Sequence, residues 1–443
     1  MIKLVGIAIT IVLTSFYLFP FCFTFLPSAN TKMIMAGFSL VILIYRLGKH
    51  SGAVIDNDIM KLSIVAGVVS MIGWLSAVFN NTMDYTYTTY IVSMWVWLGG
   101  AYTLTVFMHS VHGGISVRLM CNYMIVVGTL QCLVALGMDY FPWLKNFVDS
   151  FLYGTGFMGK MPDRMYGIGC ALDVAGAKFS ALLVMISFIV ASGLRGHDSF
   201  SIREMYAYVI SFIILAVIGN MISRSTAVGI IIGAVVFVLY WNTHEQRLVL
   251  KFNKWNVIGS LLLIFTCGVM SFVYLYNHSP EIYKHLRFAF EGFFSLVETG
   301  EWHVGSNDML KNMVIWPDNL KTWIIGDGYF DSPQKYDPYY IGYNPTEYYK
   351  GTDIGYLRFI FYFGLVGLAS FIWYFGFVAR CCIRRFPIYR LMFIGILFVN
   401  FAMWFKVASD IFVVFAPFLC ISAEGDAQYT EYLESKSRLG LKV

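Results

Sequence analysis

The sequence predicts an all-α polytopic membrane protein with about twelve transmembrane helices, and three observations lead to this class. First, 58% of its 443 residues are hydrophobic and 13% are charged, whereas soluble domains average roughly 25% charged residues. Second, apolar runs of ~20 residues, enough to cross ~30 Å of hydrocarbon, recur along the chain. Third, the connections between these runs differ in their Lys and Arg content in the way that the positive-inside rule requires.

The apolar runs can be followed in order from the N-terminus. The first run follows Lys3 and has no small-residue cleavage site, so we expect a retained helix and not a signal peptide. The predicted spans are 4–26, 33–45, 62–79, 91–108, 119–138, 174–193, 205–222, 226–241, 256–276, 354–379, 391–405 and 407–421. The last two share a tight reversal around Lys406, so the count is ten to twelve.

The distribution of Lys and Arg predicts the orientation of the spans. Every connection expected on the cytoplasmic side contains Lys or Arg, and RCCIRRFPIYR contains four Arg. The short connections on the other side contribute only Lys32 and Arg224. Both termini are therefore expected in the cytoplasm. The net charge of +5 is no sign of a nucleic-acid partner, and none is predicted.

Two segments on the outer side are too long to be simple turns. The predicted organisation is 1–276 with helices one to nine and the outer loop 139–173, then the large outer loop 277–353, then 354–443 with helices ten to twelve and a cytoplasmic tail. The large loop is expected to be partly helical, because apolar residues follow one another at helical spacing in it. The eight cysteines have no metal or disulfide spacing, and no metal or cofactor is predicted.

Charges at the outer mouth of the spans are the first candidate functional residues, because a charge that faces lipid costs several kcal/mol. Arg164 and Lys178 lead into the sixth span, and Arg224 occupies the short turn after the seventh. Each has a simpler alternative: a loop charge for Arg164, snorkelling to headgroups for Lys178, and an outer-leaflet phosphate for Arg224. Together these cations favour a site for a polyanionic headgroup, such as a lipid pyrophosphate.

The stretch GTDIGYLRFIFYFG, where the large loop returns to the membrane, contains the second set of candidates. Asp353 is the candidate general base, since a carboxylate can accept the proton of an attacking hydroxyl. The alternative is that Asp353 or Thr352 caps the tenth helix. In a regular helix Tyr356 shares the face of Asp353, whereas Arg358 lies ~140° away from it, so no same-face pair is expected.

Three stretches resemble the O-antigen polymerase and ligase superfamily of bacterial cell-envelope glycan enzymes. They are RMYGIGCALDVAGAKFSALL, SRS, and GDGYF followed by GTDIGYLRFIFYFGLVGL. The resemblance implies a metal-independent, inverting glycosyl transfer at the periplasmic face of the bacterial inner membrane, which makes the large loop periplasmic. The donor is then a glycan on undecaprenyl pyrophosphate, whose leaving group is held by cations that match Arg164 and Arg224.

Within this superfamily the sequence is closest to the Wzy-type polysaccharide repeat-unit polymerases of O-antigen or capsule synthesis. The ligases, which transfer glycan to lipid A-core, usually carry a His near the end of the large loop, and KGTDIGYL has none. The family often has an Arg in the second half of this loop, where SNDMLKNMVIW offers only Lys311. The expected substrate-binding residues are Lys178, Arg287, Lys311, Tyr356 and Arg358.

The expected partners are an undecaprenyl-pyrophosphate-linked oligosaccharide, membrane lipids and a chain-length regulator. A ligase is the alternative within the class. A flippase or exporter of the lipid-linked oligosaccharide is the alternative outside it, although such a transporter predicts charges near the bilayer midplane.

Overall fold

The computed structural model describes residues 2–49, 56–154, 164–194, 201–243, 276–333 and 347–438, together with residues 266, 270, 273 and 274. In these ranges the secondary structure is almost wholly helical, and the one sheet pairs β1 (Cys22–Phe23) with β2 (Leu26–Asn30). Eight of the described helices are long and apolar enough to cross a membrane. The predicted class, a helical membrane protein, is therefore confirmed.

The helices are named here in chain order. They are α1 (Ile2–Leu18), α2 (Thr31–Gly48), α3 (Asn57–Asn80), α4 (Tyr90–His112), α5 (Val117–Tyr140), α6 (Pro142–Phe151), α7 (Leu172–Leu194), α8 (Ile202–Ile222), α9 (Ala227–Thr243), α10 (Pro280–Ala289), α11 (Glu291–Thr299), α12 (Gly305–Asn312), α13 (Leu320–Ile325), α14 (Gly355–Arg385), α15 (Arg390–Met403), α16 (Phe412–Leu419) and α17 (Ala423–Arg438).

Several helices differ from the predicted spans at their ends. The first span was expected over 4–26, but α1 ends at Leu18, just before the Phe19–Pro20 step. The residue before a proline is disfavoured in helical conformation, so the helix stops there. The twelfth span, expected over 407–421, contains only the eight-residue helix α16. The ninth span, 256–276, lies almost entirely outside the described residues.

The chain divides into two compact units. The first unit comprises Met1–Pro20, Ser28–Tyr123 and Gly305–Val443, and the second comprises Phe21–Pro27 and Met124–Val304. The division falls inside the predicted large loop, so its α10 and α11 belong to the second unit and its α12 and α13 to the first.

A break in α14 is the central feature of the first unit. Phe363 and Gly364 leave helical geometry, and Gly364 has φ 68° and ψ −172°. The carbonyl oxygens of Phe361 and Tyr362 accept hydrogen bonds from the backbone N–H groups of Asp327 at 2.6 Å and of Gly328 at 3.1 Å. The loop that follows α13 thus satisfies the polar groups that the break releases, as buried backbone requires.

The second unit is built around α7. This helix is covered along most of its length, and it packs against α9 through positions without large side chains. A Cβ on Gly229 would lie 2.2 Å from Cα of Ser180, so the helices reach this separation only because residue 229 is glycine. Ser180 Oγ also donates a hydrogen bond of 3.0 Å to the carbonyl oxygen of Ser225, which fixes the turn between α8 and α9.

Candidate functional site

Arg224 is the first residue of a one-turn 3-10 helix, Arg224–Thr226, that connects α8 to α9. Its Nε donates a hydrogen bond of 2.8 Å to the carbonyl oxygen of Phe288, and its Nη1 lies 2.6 Å from Oε2 of Glu291. Glu291 is in the first turn of α11, where the helix dipole favours a negative charge. The ends of α10 and α11 therefore hold this guanidinium, whose side chain stays 18% exposed.

Arg164 and Arg224 lie at the same aromatic ring. The guanidinium carbon of Arg164 is 5.2 Å from the ring centroid of Phe288, and that of Arg224 is 4.1 Å from it. Both distances are within the ~6 Å over which a cation interacts with a ring face. Two planar guanidiniums concentrate positive charge there, and their forked N–H groups match phosphate oxygens. We call these three residues the Phe288 arginine pair.

The turn that carries Arg224 is fixed by close contact with α7. Ser223 Oγ donates a hydrogen bond of 2.7 Å to Oδ1 of Asp173 and lies 2.7 Å from Oγ of Ser225. A Cβ on Gly176 would lie 2.1 Å from Oγ of Ser225. The turn can approach α7 only because position 176 has no side chain, and this approach sets the position of Arg224.

Lys178 is buried in α7, with 5% of its surface exposed. The alternative that it snorkels to the outer headgroups is therefore wrong, because a snorkelling amine reaches the polar surface. Charged groups in membrane helices generally face the protein interior, as this one does.

Arg287 lies one residue before Phe288 but forms a different interaction. Its Nη2 donates a hydrogen bond of 2.8 Å to Oε2 of Glu298, and Nη1 pairs with the other carboxylate oxygen. Its guanidinium also lies 5.0 Å from the ring centroid of Phe294. The described contacts of Arg287 thus join α10 to α11.

One His–Asp pair in the second unit was not predicted from the sequence. His285 is 3% exposed, and its Nε2 lies 3.0 Å from Oδ2 of Asp139. The two residues are 146 positions apart, and no periodicity or motif links them. The pair ties α10 to the end of α5, and so supports the helix that carries Phe288.

Arg358 in α14 is the most enclosed of the cations that the structure describes in the first unit, at 7% exposure. Its Nη2 is 2.6 Å from Oδ1 of Asp331 and donates at 3.3 Å to the carbonyl oxygen of Phe330. Its guanidinium lies 3.6 Å from the ring centroid of Phe330 and 4.7 Å from that of Tyr348. Two rings and a carboxylate thus hold this side chain in one orientation.

Asp353 also contacts Arg358, so the expectation that these two residues do not pair is wrong. Oδ1 of Asp353 is 3.5 Å from Nη1 of Arg358. The ~140° separation applies only within a regular helix, and α14 starts at Gly355 with Ile354 as its N-cap. Ile354, and neither Asp353 nor Thr352, is thus the N-cap, and its own side chain forms no cap hydrogen bond. Just before the helix, Thr352 Oγ1 accepts a hydrogen bond of 3.3 Å from the backbone N–H of Ile354.

Asp331 is a carboxylate that the sequence interpretation missed. Its side chain is 52% exposed, against 21% for Asp353. Burial raises the pKa of the Asp331 carboxyl above its ordinary value, and the charges of Asp84 and Glu347 add to this effect against that of Arg358. A higher pKa makes a carboxylate a better proton acceptor near neutral pH. The feature of the sequence that could have pointed to Asp331 is its position shortly after the turn at residues 326–328.

The two remaining predicted residues of the first unit have other surroundings. The Tyr356 hydroxyl donates a hydrogen bond of 3.0 Å to the carbonyl oxygen of Phe401, and its ring meets that of Trp404. Lys311 is largely exposed on α12, with Nζ 2.9 Å from Oδ1 of Asp308. Tyr356 thus anchors α14 to α15, and Lys311 lies in a solvated pair within one helix.

Each unit therefore offers one set of side chains that could act on a substrate: the Phe288 arginine pair in the second, and Arg358 with Asp331 and Asp353 in the first. Within the part of the chain that the structure describes, no group of three His, Cys, Asp or Glu residues could hold a metal ion. No family model, curated protein or solved structure matches this chain.

Proposed function

We propose that this chain is a membrane glycosyltransferase of Wzy type, which polymerises lipid-linked polysaccharide repeat units for O-antigen or capsule. It transfers a glycan from undecaprenyl pyrophosphate to a sugar hydroxyl of another lipid-linked repeat, with inversion and without a metal ion. The proposal retains twelve spans in the bacterial inner membrane, cytoplasmic termini, and a periplasmic loop over 277–353. A chain-length regulator is the expected protein partner.

The observation that supports the proposal most directly is that the guanidinium groups of Arg164 and Arg224 both lie against the ring of Phe288. Guanidiniums stay charged at any working pH and bind phosphate oxygens through two N–H groups each. A pair of them can bind a pyrophosphate more tightly than either could alone. Glu291 is the counter-ion of Arg224 in this state, so a pyrophosphate has to compete with it.

The reaction assigns a different task to each set of residues. The acceptor oxygen forms a bond to the anomeric carbon of the donor, while the bond from that carbon to the pyrophosphate oxygen breaks. The hydroxyl proton passes to a carboxylate, for which Asp353 is our first assignment. The negative charge that develops on the leaving pyrophosphate is stabilised by fixed cations, which we assign to Arg164 and Arg224.

Arg164→Ala and Arg224→Ala are each expected to abolish long-chain glycan while the protein remains in the membrane at its normal level. Removing one preorganised donor to a developing charge commonly costs ~10²–10³ in rate. The measurement is the gel profile of surface polysaccharide, with immunoblots of the membrane fraction. Arg203→Ala is the matched control, since this exposed arginine lies in the first turn of α8. Wild-type chain lengths in either test variant would exclude the pyrophosphate clamp.

Asp353→Asn is expected to lower the polymerisation rate by ~10²-fold or more, the usual contribution of a general base. Asp331→Asn is expected to lower it less, because Asp331 is held at 2.6 Å by Arg358 and Asp353 lies at 3.5 Å from it. Both variants keep the size of the side chain and can be assayed as purified enzymes with a lipid-linked repeat. The reverse order of the two effects would assign the proton transfer to Asp331.

A deletion strain separates the proposed activity from its alternatives. Loss of a polymerase leaves single repeats attached to their final acceptor. Loss of a ligase would leave long glycans on the undecaprenyl carrier, and loss of a flippase would leave single repeats on the cytoplasmic side. Either of the last two results would overturn the proposal.

A further inference from the structure

A large apolar cavity, open to the surface of the first unit, lies between α2, α3, α4 and the segment around α16. Its volume is about 1040 Å³, just above the ~300–1,000 Å³ of pockets that bind small molecules. Most of its lining is apolar, including Met33, Leu40 and Trp95. Its few charged lining residues are Arg46, Asp56 and Arg385. The lining of the cavity is thus apolar apart from a few polar side chains and these three charged ones.

The charge of the lining favours an anion. Arg46 is in the last turn of α2, is exposed, and donates a hydrogen bond of 2.7 Å from Nη1 to the hydroxyl of Tyr102. Asp56, the one acidic lining residue, is paired with Nη2 of Arg385. Arg385 also donates a hydrogen bond of 2.7 Å to the carbonyl oxygen of Leu419. The acidic residue is therefore engaged within the protein.

The length of the cavity matches one leaflet of a membrane. The lining on α2 runs from Met33 to Arg46, which at 1.5 Å per residue is ~20 Å. One leaflet with its headgroup layer is also about 20 Å deep, half of the ~40–45 Å of a bilayer. An acyl chain packed along α2 would therefore bring its headgroup to the level of Arg46.

We propose that this cavity binds an anionic phospholipid of the surrounding bilayer, with its acyl chains against α2 and α4 and its phosphate at Arg46. Basic pockets between membrane helices recognise lipid headgroups in this way. The site lies apart from Arg358 and from the carboxylates beside it: none of these residues lines the cavity. Its occupant is a structural lipid and not the glycan donor.

Gly37 allows the cavity to be filled without disturbing the fold. It lines the cavity on α2, and a Cβ added there would meet no atom within 4 Å. Leucine is also a better helix former than glycine, so Gly37→Leu is expected to fold. Gly376→Leu is the matched control: it too is a helical glycine with no atom within 4 Å of an added Cβ, and it does not line the cavity.

Native mass spectrometry of the purified full-length protein tests the proposal with three added probes: phosphatidylglycerol, phosphatidylethanolamine and undecaprenyl phosphate. Of the three lipids, we expect phosphatidylglycerol to bind to the largest fraction of the wild-type protein and of Gly376→Leu. In Gly37→Leu, we expect most of this bound phosphatidylglycerol to be lost. Arg46→Gln is expected to weaken phosphatidylglycerol binding about fivefold, the usual contribution of one cation at a lipid surface, while Arg46→Lys retains it. Equal binding to Gly37→Leu and wild type, or a preference for either other lipid, would overturn the proposal.

Discussion

Replacing Gly364 by alanine is expected to remove most of the folded protein from the membrane. Its φ of 68° and ψ of −172° lie in a region that is essentially confined to glycine, where other residues incur ~1–3 kcal/mol of strain. A Cβ there would also lie 2.1 Å from the carbonyl oxygen of Ile324 and 2.4 Å from the nitrogen of Ile325. These are backbone atoms, so the collision cannot be relieved by a rotamer change. We expect a total loss above ~4 kcal/mol, among the largest effects of single substitutions.

Gly376→Ala in the same helix is the control for this substitution. A Cβ at Gly376 meets no atom within 4 Å, and alanine in a helix is favoured over glycine by ~1 kcal/mol. Fluorescence-detected size-exclusion chromatography of the two variants, extracted from membranes, measures the folded fraction. A monodisperse Gly364→Ala protein with the wild-type thermal transition would contradict the account of the break in α14.

Arg358→Met is expected to abolish polymerisation and to destabilise the first unit. Methionine retains much of the apolar volume but leaves Asp331 and Asp353 near each other without the cation that contacts both. Hydrogen bonds to charged groups contribute ~1.5–3 kcal/mol. Because Asp331 is half exposed, solvent screens part of this loss, and we expect a cost of about 2 kcal/mol. Chain-length profiles and thermal transitions of the purified variant give the two readouts.

Two further variants separate the roles of Arg358. Arg358→Lys keeps the charge but not the planar group that stacks on Phe330 and Tyr348, so we expect partial recovery of stability and little of activity. Combining Arg358→Met with Asp331→Asn removes a carboxylate that has lost its partner. If Arg358 acts through Asp331, this double variant is more stable than Arg358→Met alone. A purely additive loss would contradict that coupling.

The class of the fold could be predicted because the membrane requires long apolar helices. Helices α3, α4, α7 and α8 fall where hydrophobic runs placed them, each extending the predicted span by a few residues. The end of α1 could have been read from Pro20, whose local restriction outweighs the continuing apolar run. The break in α14 could not be read from the sequence. Gly364 is one of 39 glycines, and its conformation depends on α13, which contacts it only in the folded chain.

The candidate site was predicted in part, for reasons that differ between residues. Arg164 and Arg224 were singled out as charges at the outer mouth of the spans. The helical spacing of the large loop predicts α10, but it does not show that both guanidiniums lie against the ring of Phe288 on this helix. The relation of Asp353 to Arg358 was mispredicted because helical geometry was applied before the helix begins. Asp331 was missed because its contact with Arg358 spans 27 residues of chain.

The break in α14 also has a consequence for the order in which the protein is assembled. Residues 326–328 are synthesised before Phe361 and Tyr362. The N–H groups of Asp327 and Gly328 can therefore form their hydrogen bonds to these two residues only after α14 has been synthesised. Those carbonyl groups, in turn, cannot be released from a membrane helix until other donors reach them, since each unsatisfied group costs several kcal/mol in hydrocarbon. We therefore expect α14 to be inserted as an unbroken helix and to bend only when the loop docks. The first unit is then completed late, after the translocon has released its last long span.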